Sequence, residues 1–190
     1  MNSPSKNDTR PQNNGVKKRF RHLFELVLFA MLATLMFVSK IIMEALPNIH
    51  LLALLITVYT VVFRAKALIP IYIYVLLNGL YGGFSLWWMP YLYIWTILWG
   101  AVMLLPKQMK PTIACIVYAT VACLHGFLYG VLYSPAQALL FGLDFEETVA
   151  WIIAGFPFDI IHGVSNFIVG FSALPLIKTL RKAMKSTGLY

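Results

Sequence analysis

The sequence predicts an all-α integral membrane protein with six transmembrane helices and both termini in the cytoplasm. Three observations carry that expectation. The chain is 60% hydrophobic, with a mean hydropathy of +0.77. Short polar gaps divide it into apolar stretches close to crossing length. The charges are segregated: of the 15 Lys and Arg residues, all but Lys40 fall in one set of alternate gaps or in the two tails, whereas Glu44, Asp144, Glu146 and Glu147 fall in the other set. Basic loops stay in the cytoplasm, so this alternation fixes both the number of crossings and their direction. A chain of 190 residues holds six crossings of about 20 residues each with short loops, and leaves no room for a soluble domain. An even count with both ends inside satisfies every gap.

The elements follow in order. Residues 1–20 read as a disordered basic cytoplasmic tail: the first fourteen are rich in Ser, Asn, Pro and Gln, and Lys17, Lys18, Arg19 and Arg21 then abut an apolar stretch too long for a cleaved signal sequence. Residues 21–182 form the transmembrane domain, and residues 183–190 a second cytoplasmic tail. Crossing one spans residues 24–44, and Pro47 and Asn48 turn the chain outside. Crossing two, residues 50–63, is short for a full traverse, which places its first turn below the outer surface. It ends at Arg64 and Lys66, inside. Crossing three spans residues 68–81 and breaks at Gly82 and Gly83. Crossing four holds most of an aromatic block (Trp87, Trp88, Tyr91, Tyr93, Trp95, Trp99) and ends near Pro106, Lys107 and Lys110. Crossing five spans residues 111–133. The outer segment 134–147 carries acids and no base, with a short helix capped by Ser134 and started by Pro135. Crossing six spans residues 148–177, interrupted at Pro157, and Lys178, Arg181, Lys182 and Lys185 return it to the cytoplasm.

The net charge of +8 does not point to nucleic acid, because the bases cluster at helix ends, where they anchor to anionic lipid headgroups of the bilayer. Cys115 and Cys123 are eight residues apart, about 12 Å along a helix, beyond disulfide reach. The chain has no HExxH, GxSxG or Walker loop. It therefore offers no catalytic constellation, no metal site and no means of hydrolysing ATP by itself.

Several polar residues interrupt the apolar stretches. Asp159, His162 and Asn166 are spaced i, i+3, i+7 on one helical face, and ionisable residues at membrane depth suggest function. This face either lines a binding cavity or holds an Asp–His pair that locks helix packing. Asn78, His125, Tyr129 and Gln137 are further candidates, each also explicable as a helix–helix hydrogen bond. Asn48 and His50 sit at the outer turn, where they line a mouth. Trp87, Trp88 and Tyr91 suit an interfacial belt or an aromatic pocket for a planar ligand. Lys40 precedes Glu44 by four residues, the spacing of a local ion pair. Ala30 and Thr34, with Ala33 beside them, make a small-residue stripe that admits close helix approach.

Together these features resemble the substrate-binding S-component of an energy-coupling factor (ECF) vitamin transporter. The resemblance covers residues 21–182. It rests on six helices in under 200 residues, the stripe on the first helix and the absence of an ATP motif. It rests also on the segments MLATLMFVSK (31–40), LPNIHL (46–51), WWMPYLYIW (87–95), PAQA (135–138) and FPFDIIHG (156–163). The resemblance implies a multi-pass protein of the bacterial cytoplasmic membrane, not an enzyme. It would capture a vitamin from outside and dock through Ala30 and Thr34, with Ala33 as neighbour, on a transmembrane coupling subunit bound to two ATPases. Those partners, not this chain, would use ATP and Mg; their work would topple the S-component and release the vitamin inside. Thr34 departs from the strict Ala-xxx-Ala form of the docking motif. The implied pocket lies in the outer half of the bundle, behind the segments 44–50, 82–88 and 134–147. Its substrate-binding candidates are Asn48, His50, Asn78, Trp87, Trp88, Tyr91, His125, Tyr129, Gln137, Asp159, His162 and Asn166. Few bases and many aromatic and amide groups disfavour a strongly anionic substrate and suit cobalamin; a thiamine precursor, pantothenate or folate are the alternatives. A membrane scaffold, or an intramembrane enzyme using Asp159 and His162, is the reading from another class.

Overall fold

The structure, a computed structural model, describes residues 10–46 and 48–186, with side chains from Lys18 onward. Pro47, residues 1–9 of the expected N-terminal tail and residues 187–190 of the C-terminal one lie outside the described residues. Among the described residues every regular element is helical: α1 (Arg10–Ile42), α2 (Leu52–Phe63), α3 (Leu68–Gly82), α4 (Tyr91–Met103), α5 (Pro111–Phe127), α6 (Tyr129–Phe141), α7 (Phe145–Gly170) and α8 (Ala173–Ser186). Short 3-10 turns at Arg64–Ala67 and Leu86–Trp88 flank α3 and α4.

Four helical stretches are long and apolar enough to cross a membrane: Lys18–Ile42, Leu52–Gly82, Pro111–Phe141 and Phe145–Gly170. Leu104, Leu139 and Phe145 are more than four-fifths exposed, and large apolar side chains cover much of the outer surface. A water-soluble fold does not tolerate an apolar surface of that extent, so the chain is a membrane protein. α4, at 13 residues, spans only about 20 Å and falls short of the length needed to stand as a crossing by length alone.

Local chemistry explains the helix ends. α5 opens with Pro111, whose missing N–H is no loss in a first turn. α6 ends at Gly142 in the left-handed region, φ 69°, as a helix C-terminus favours. α7 starts on a capping box: Asp144 Oδ1 accepts from the Glu147 N–H at 2.8 Å, and Glu147 Oε2 accepts from the Asp144 N–H at 3.0 Å. Pro135 lies inside α6 rather than at its start. It cannot donate to the Val131 carbonyl, and the Ser134 hydroxyl donates there instead, at 2.9 Å.

The final apolar stretch differs from the expected one. Its helix begins at Phe145, runs unbroken through Pro157 and stops at Gly170. The interruption falls at Phe171 and Ser172, after which α8 is amphipathic: Ala173, Ile177 and Met184 are buried while Lys178, Lys182 and Lys185 are exposed. Crossing five also differs, since the chain bends at Leu128 between α5 and α6. At the other terminus α1 reaches back through the basic run to Arg10.

The contacts define two ends of the bundle. At one end Lys66 pairs with Glu25 of α1, Arg64 Nη2 donates to the Met103 carbonyl at 2.9 Å, and Arg181 Nη2 donates to the Val61 carbonyl at 3.3 Å. At the other, Lys40 pairs with Glu44 at 3.1 Å and Phe37 of α1 meets Tyr81 of α3 edge-on. The turn at Arg64–Ala67 therefore reverses the chain, and Leu52–Gly82 is two antiparallel helices rather than one rod.

The core joins Phe29 and Met36 of α1, Ile56 and Tyr59 of α2, Ile71 and Tyr74 of α3, Trp95 and Leu98 of α4, and Ile177 of α8, each at most 2% exposed. α5 and α7 pack closest. A Cβ placed on Gly170 would stand 2.6 Å from Ala119 Cα, and one on Gly126 would stand 2.8 Å from the Gly163 backbone. Small residues at these levels let two antiparallel helices meet backbone to backbone.

Candidate ligand-binding site

The site forms where three devices converge at the end of the bundle that holds Lys40 and Glu44. The connection after α1 dips inward, so that the Asn48 carbonyl accepts a hydrogen bond from Ser165 Oγ of α7 at 3.3 Å. That dip carries His50 into the bundle. The α5–α7 seam carries His125 and His162, each one residue from a seam glycine. Trp95 of α4, 1% exposed, packs against His125.

Trp95 is the hub. Its ring centroid lies 5.6 Å from Tyr91, 5.8 Å from His125, 6.1 Å from Tyr129, 6.3 Å from His50 and 6.4 Å from Tyr74. The His50 and His162 rings meet edge-on at 4.6 Å, and Tyr129 lies 5.0 Å from His162. His125 Nε2 is 3.2 Å from the Ile94 carbonyl, so that nitrogen carries the proton and Nδ1 is left as an acceptor. Buried polar atoms in this cluster have no hydrogen-bond partner among the described residues: His50 Nδ1, Tyr74 Oη, Trp95 Nε1, His125 Nδ1 and His162 Nε2. Each such atom costs about 1–3 kcal/mol when left unpaired. Their gathering around one aromatic hub leaves donors and acceptors that a polar group from outside the chain could satisfy.

A cavity of about 340 Å³ opens above the cluster, lined among others by Lys40, Glu44, Asn48, His50, Tyr91, Tyr129, Tyr133 and His162. A second, also about 340 Å³, shares Lys40, Glu44 and Tyr91 and adds Asn78, Tyr81, Gly82 and Trp87. His162 lies 17 positions after Phe145, or about 25 Å along α7, so the floor is deep within the bundle. The walls are largely aromatic; the polar groups are imidazoles, phenols, the Trp87 indole, the amides of Asn48 and Asn78, and the charged pair Lys40 and Glu44. Such a lining has the chemistry to hold a planar ligand with amide or heterocyclic hydrogen-bonding groups. Among the described residues no group of three His, Cys, Asp or Glu side chains is placed to hold a metal ion.

The sequence candidates separate accordingly. Asn48, His50, Tyr91, Tyr129 and His162 line the first cavity, Asn78 and Trp87 line the second, and His125 lies beneath them against Trp95. Asp159 and Asn166 are engaged in packing: Asp159 Oδ2 accepts from the Gly130 N–H at 3.0 Å, and Asn166 Nδ2 donates to the Ala122 carbonyl at 3.3 Å. Trp88 is bound into the fold by its donation to the Val75 carbonyl at 2.8 Å and by its contact with Phe84. Gln137 is half-buried on α6, outside both linings. On α1, Ala30 and Thr34 are exposed, whereas Ala33 is fully buried against the bundle. The Thr34 hydroxyl donates back to the Ala30 carbonyl at 2.9 Å, which turns its polar atom into the helix.

Two participants are absent from the sequence-based set. Trp95 differs in sequence only by standing one turn deeper than Tyr91. Tyr133 lines the first cavity, stacks on Trp151 at 5.8 Å and donates to the Trp87 carbonyl at 3.0 Å. Its spacing of four from Tyr129 is the signal that places it on the same face.

Comparison of the chain with protein-family models, with curated proteins and with solved structures gives no match.

Proposed function

We propose that the chain is the substrate-binding S-component of an ECF-type vitamin importer in the bacterial cytoplasmic membrane. In this reading α1, α2, α3, α4, the bent pair α5–α6, and α7 make six crossings. The end bearing Arg64, Lys66, Lys107 and Arg181 is cytoplasmic, as are both termini, and α8 lies along that face. The observation that carries the proposal is the aromatic and imidazole cavity, which opens at the end opposite the basic one and is lined by His50 and His162, each with a buried nitrogen that has no hydrogen-bond partner among the described residues. A vitamin arriving from outside would enter between the connection after α1 and the aromatic start of α4. The exposed Ala30–Thr34 face of α1 would then meet the coupling subunit, and two partner ATPases would supply the energy.

Cobalamin is the proposed substrate. Its flat corrin suits the aromatic walls, and its many amides suit the imidazole, phenol and indole groups. The mouth holds Lys40 already neutralised by Glu44, which fits a ligand carrying little net charge. A second reading, a compact heteroaromatic vitamin or precursor, is favoured by volume: about 340 Å³ is at the small end of ligand cavities, and cobalamin would require the connection after α1 to swing outward.

The test is direct. The chain expressed in a bacterial host with its coupling subunit and ATPases is purified, and the extracted small molecules are identified by mass spectrometry. Calorimetric titration with cyanocobalamin and with thiamine, pantothenate and folate follows. Binding of cyanocobalamin alone supports the first reading, and binding of a compact vitamin alone supports the second. Failure to copurify with a coupling subunit, with no binding of any vitamin, would leave a scaffold or intramembrane enzyme in its place.

A further inference from the structure

A second cavity, of about 250 Å³, lies at the opposite end of the bundle and is chemically unlike the first. Its charged lining is Arg64, Lys107 and Arg181; its remaining walls are Val61, Val62, Val102, Leu105, Pro106 and Tyr118. Among the described residues no carboxylate lines it, and Glu25 is already paired with Lys66. Three cations held around one hollow repel one another unless an anion joins them.

The fold works to hold them there. Arg64 adopts φ 55°, a region L-residues rarely occupy. It is fixed by three contacts: its N–H donates to the Thr60 carbonyl, its carbonyl accepts from Trp99 Nε1 at 3.1 Å, and Nη2 donates to the Met103 carbonyl. Arg181 is fixed by its bond to the Val61 carbonyl. Each of these guanidinium contacts uses one nitrogen and leaves further N–H donors of the fork free for a second acceptor. Lys107, exposed on the turn after α4, adds a third cation.

We propose that this cavity binds a phosphate group, with Arg64 and Arg181 as the fixed pair and Lys107 closing over it. Two guanidiniums and an ammonium around an anion-sized hollow are the donor set that recognises phosphate oxygens. The apolar walls beside them suit the glycerol and first methylenes of a phospholipid, and basic hollows between helices on the cytoplasmic face accept anionic headgroups. A lipid phosphodiester and inorganic phosphate share this chemistry, so the experiment separates them.

The intact protein in a neutral detergent is titrated with phosphatidylglycerol, with phosphatidylcholine and with inorganic phosphate, and bound adducts are counted by native mass spectrometry. The variant is Lys107→Gln with Arg181→Gln. The control, Lys178→Gln with Lys182→Gln, removes the same charge from exposed positions outside the cavity. Arg64 is left in place because it braces α4, and melting curves confirm that both variants fold. The expected result is one phosphatidylglycerol held in preference to phosphatidylcholine, weakened about fivefold for each cation removed from the cavity and unchanged in the control. Inorganic phosphate that binds with the same dependence on Lys107 and Arg181, without lipid preference, supports the site and assigns it to the free ion. Equal weakening in variant and control, or no bound anion of either kind, overturns the proposal.

Discussion

Gly126→Ala tests the seam and the site at once. A Cβ at this position would lie 2.8 Å from both Cα and N of Gly163 and 2.9 Å from Asn166 Nδ2. Ordinary contact begins near 3.4 Å, so α5 and α7 must separate by about 0.6 Å, and backbone atoms offer no rotamer by which to escape. Gaps of 0.5–1 Å forfeit about a quarter to a half of the dispersion energy at each contact they open. Overpacking of this kind costs about 1–3 kcal/mol. Replacing a helical glycine returns about 0.5–1 kcal/mol, which leaves a net loss of about 0–2.5 kcal/mol. For a chain of this size that is a fall in Tm of up to about 10 °C. Gly155→Ala is the matched control, because nothing lies within 4 Å of its added Cβ; its Tm is expected to hold or rise. The assay is thermal unfolding in detergent followed by circular dichroism. Since Gly126 adjoins His125 and Gly163 adjoins His162, ligand affinity is expected to fall with stability in the first variant alone. A Gly126→Ala protein that melts at or above Gly155→Ala would refute the close approach of α5 and α7.

Three further outcomes follow from the placement of individual side chains. His162→Ala is expected to weaken the bound vitamin by about 1–3 kcal/mol, roughly 5- to 150-fold, while Asp159→Ala and Asn166→Ala lower the melting temperature and change affinity less; calorimetry beside melting curves separates the two roles, and the reverse pattern would move the site to the Asp159 side of α7. In a chain with Cys115 and Cys123 replaced by Ala, cysteines at Ser85 and Asp144 should react with an impermeant thiol reagent on intact cells and cysteines at Lys66 and Lys110 should not; outside labelling of Lys110 would break the six-crossing proposal. Ala30→Trp or Thr34→Trp, on the exposed face of α1, should abolish uptake in cells while vitamin binding to the isolated subunit persists, and loss of both together would mean that this face serves the fold.

Much of the architecture was legible because apolar length and charge are one-dimensional signals. The end of α2 at Phe63 and the start of α3 at Leu68 follow from Arg64 and Lys66, and the end of α3 follows from Gly82 and Gly83. The misplaced boundaries lie where a local signal was outweighed or overlooked. Asp144 and Glu147 form a capping box three residues apart, and that pair moves the start of α7 back to Phe145. Pro157 looked like a break, yet it removes only one backbone donor, and the helix on either side is held by packing on α5 and α6. The actual break at Phe171 and Ser172 coincides with the change from an apolar stretch to the amphipathic period of α8, a signal spread over ten residues rather than marked by one.

The site was legible as a set of residues but not as an arrangement, and the reason is physical. Helical spacing places Asp159, His162 and Asn166 on one broad face, but that face is wide enough to meet two neighbours. Asp159 turns to the Gly130 N–H and Asn166 to the Ala122 carbonyl, and only His162 reaches the cavity. What decides among them is the small-residue seam. By drawing α5 onto α7 at Gly126 and Gly163, it sets Asn166 against the α5 backbone and leaves the two imidazoles on the aromatic cluster, His125 against Trp95 and His162 against Tyr129. The dip of the chain at Asn48 then adds the third imidazole. Buried donors and acceptors left unpaired against aromatic rings cost the empty fold stability, and on the proposed function the same atoms would give a bound ligand its gain in hydrogen bonds. Packing places the cavity, and the polar groups that packing leaves unsatisfied would then make it selective.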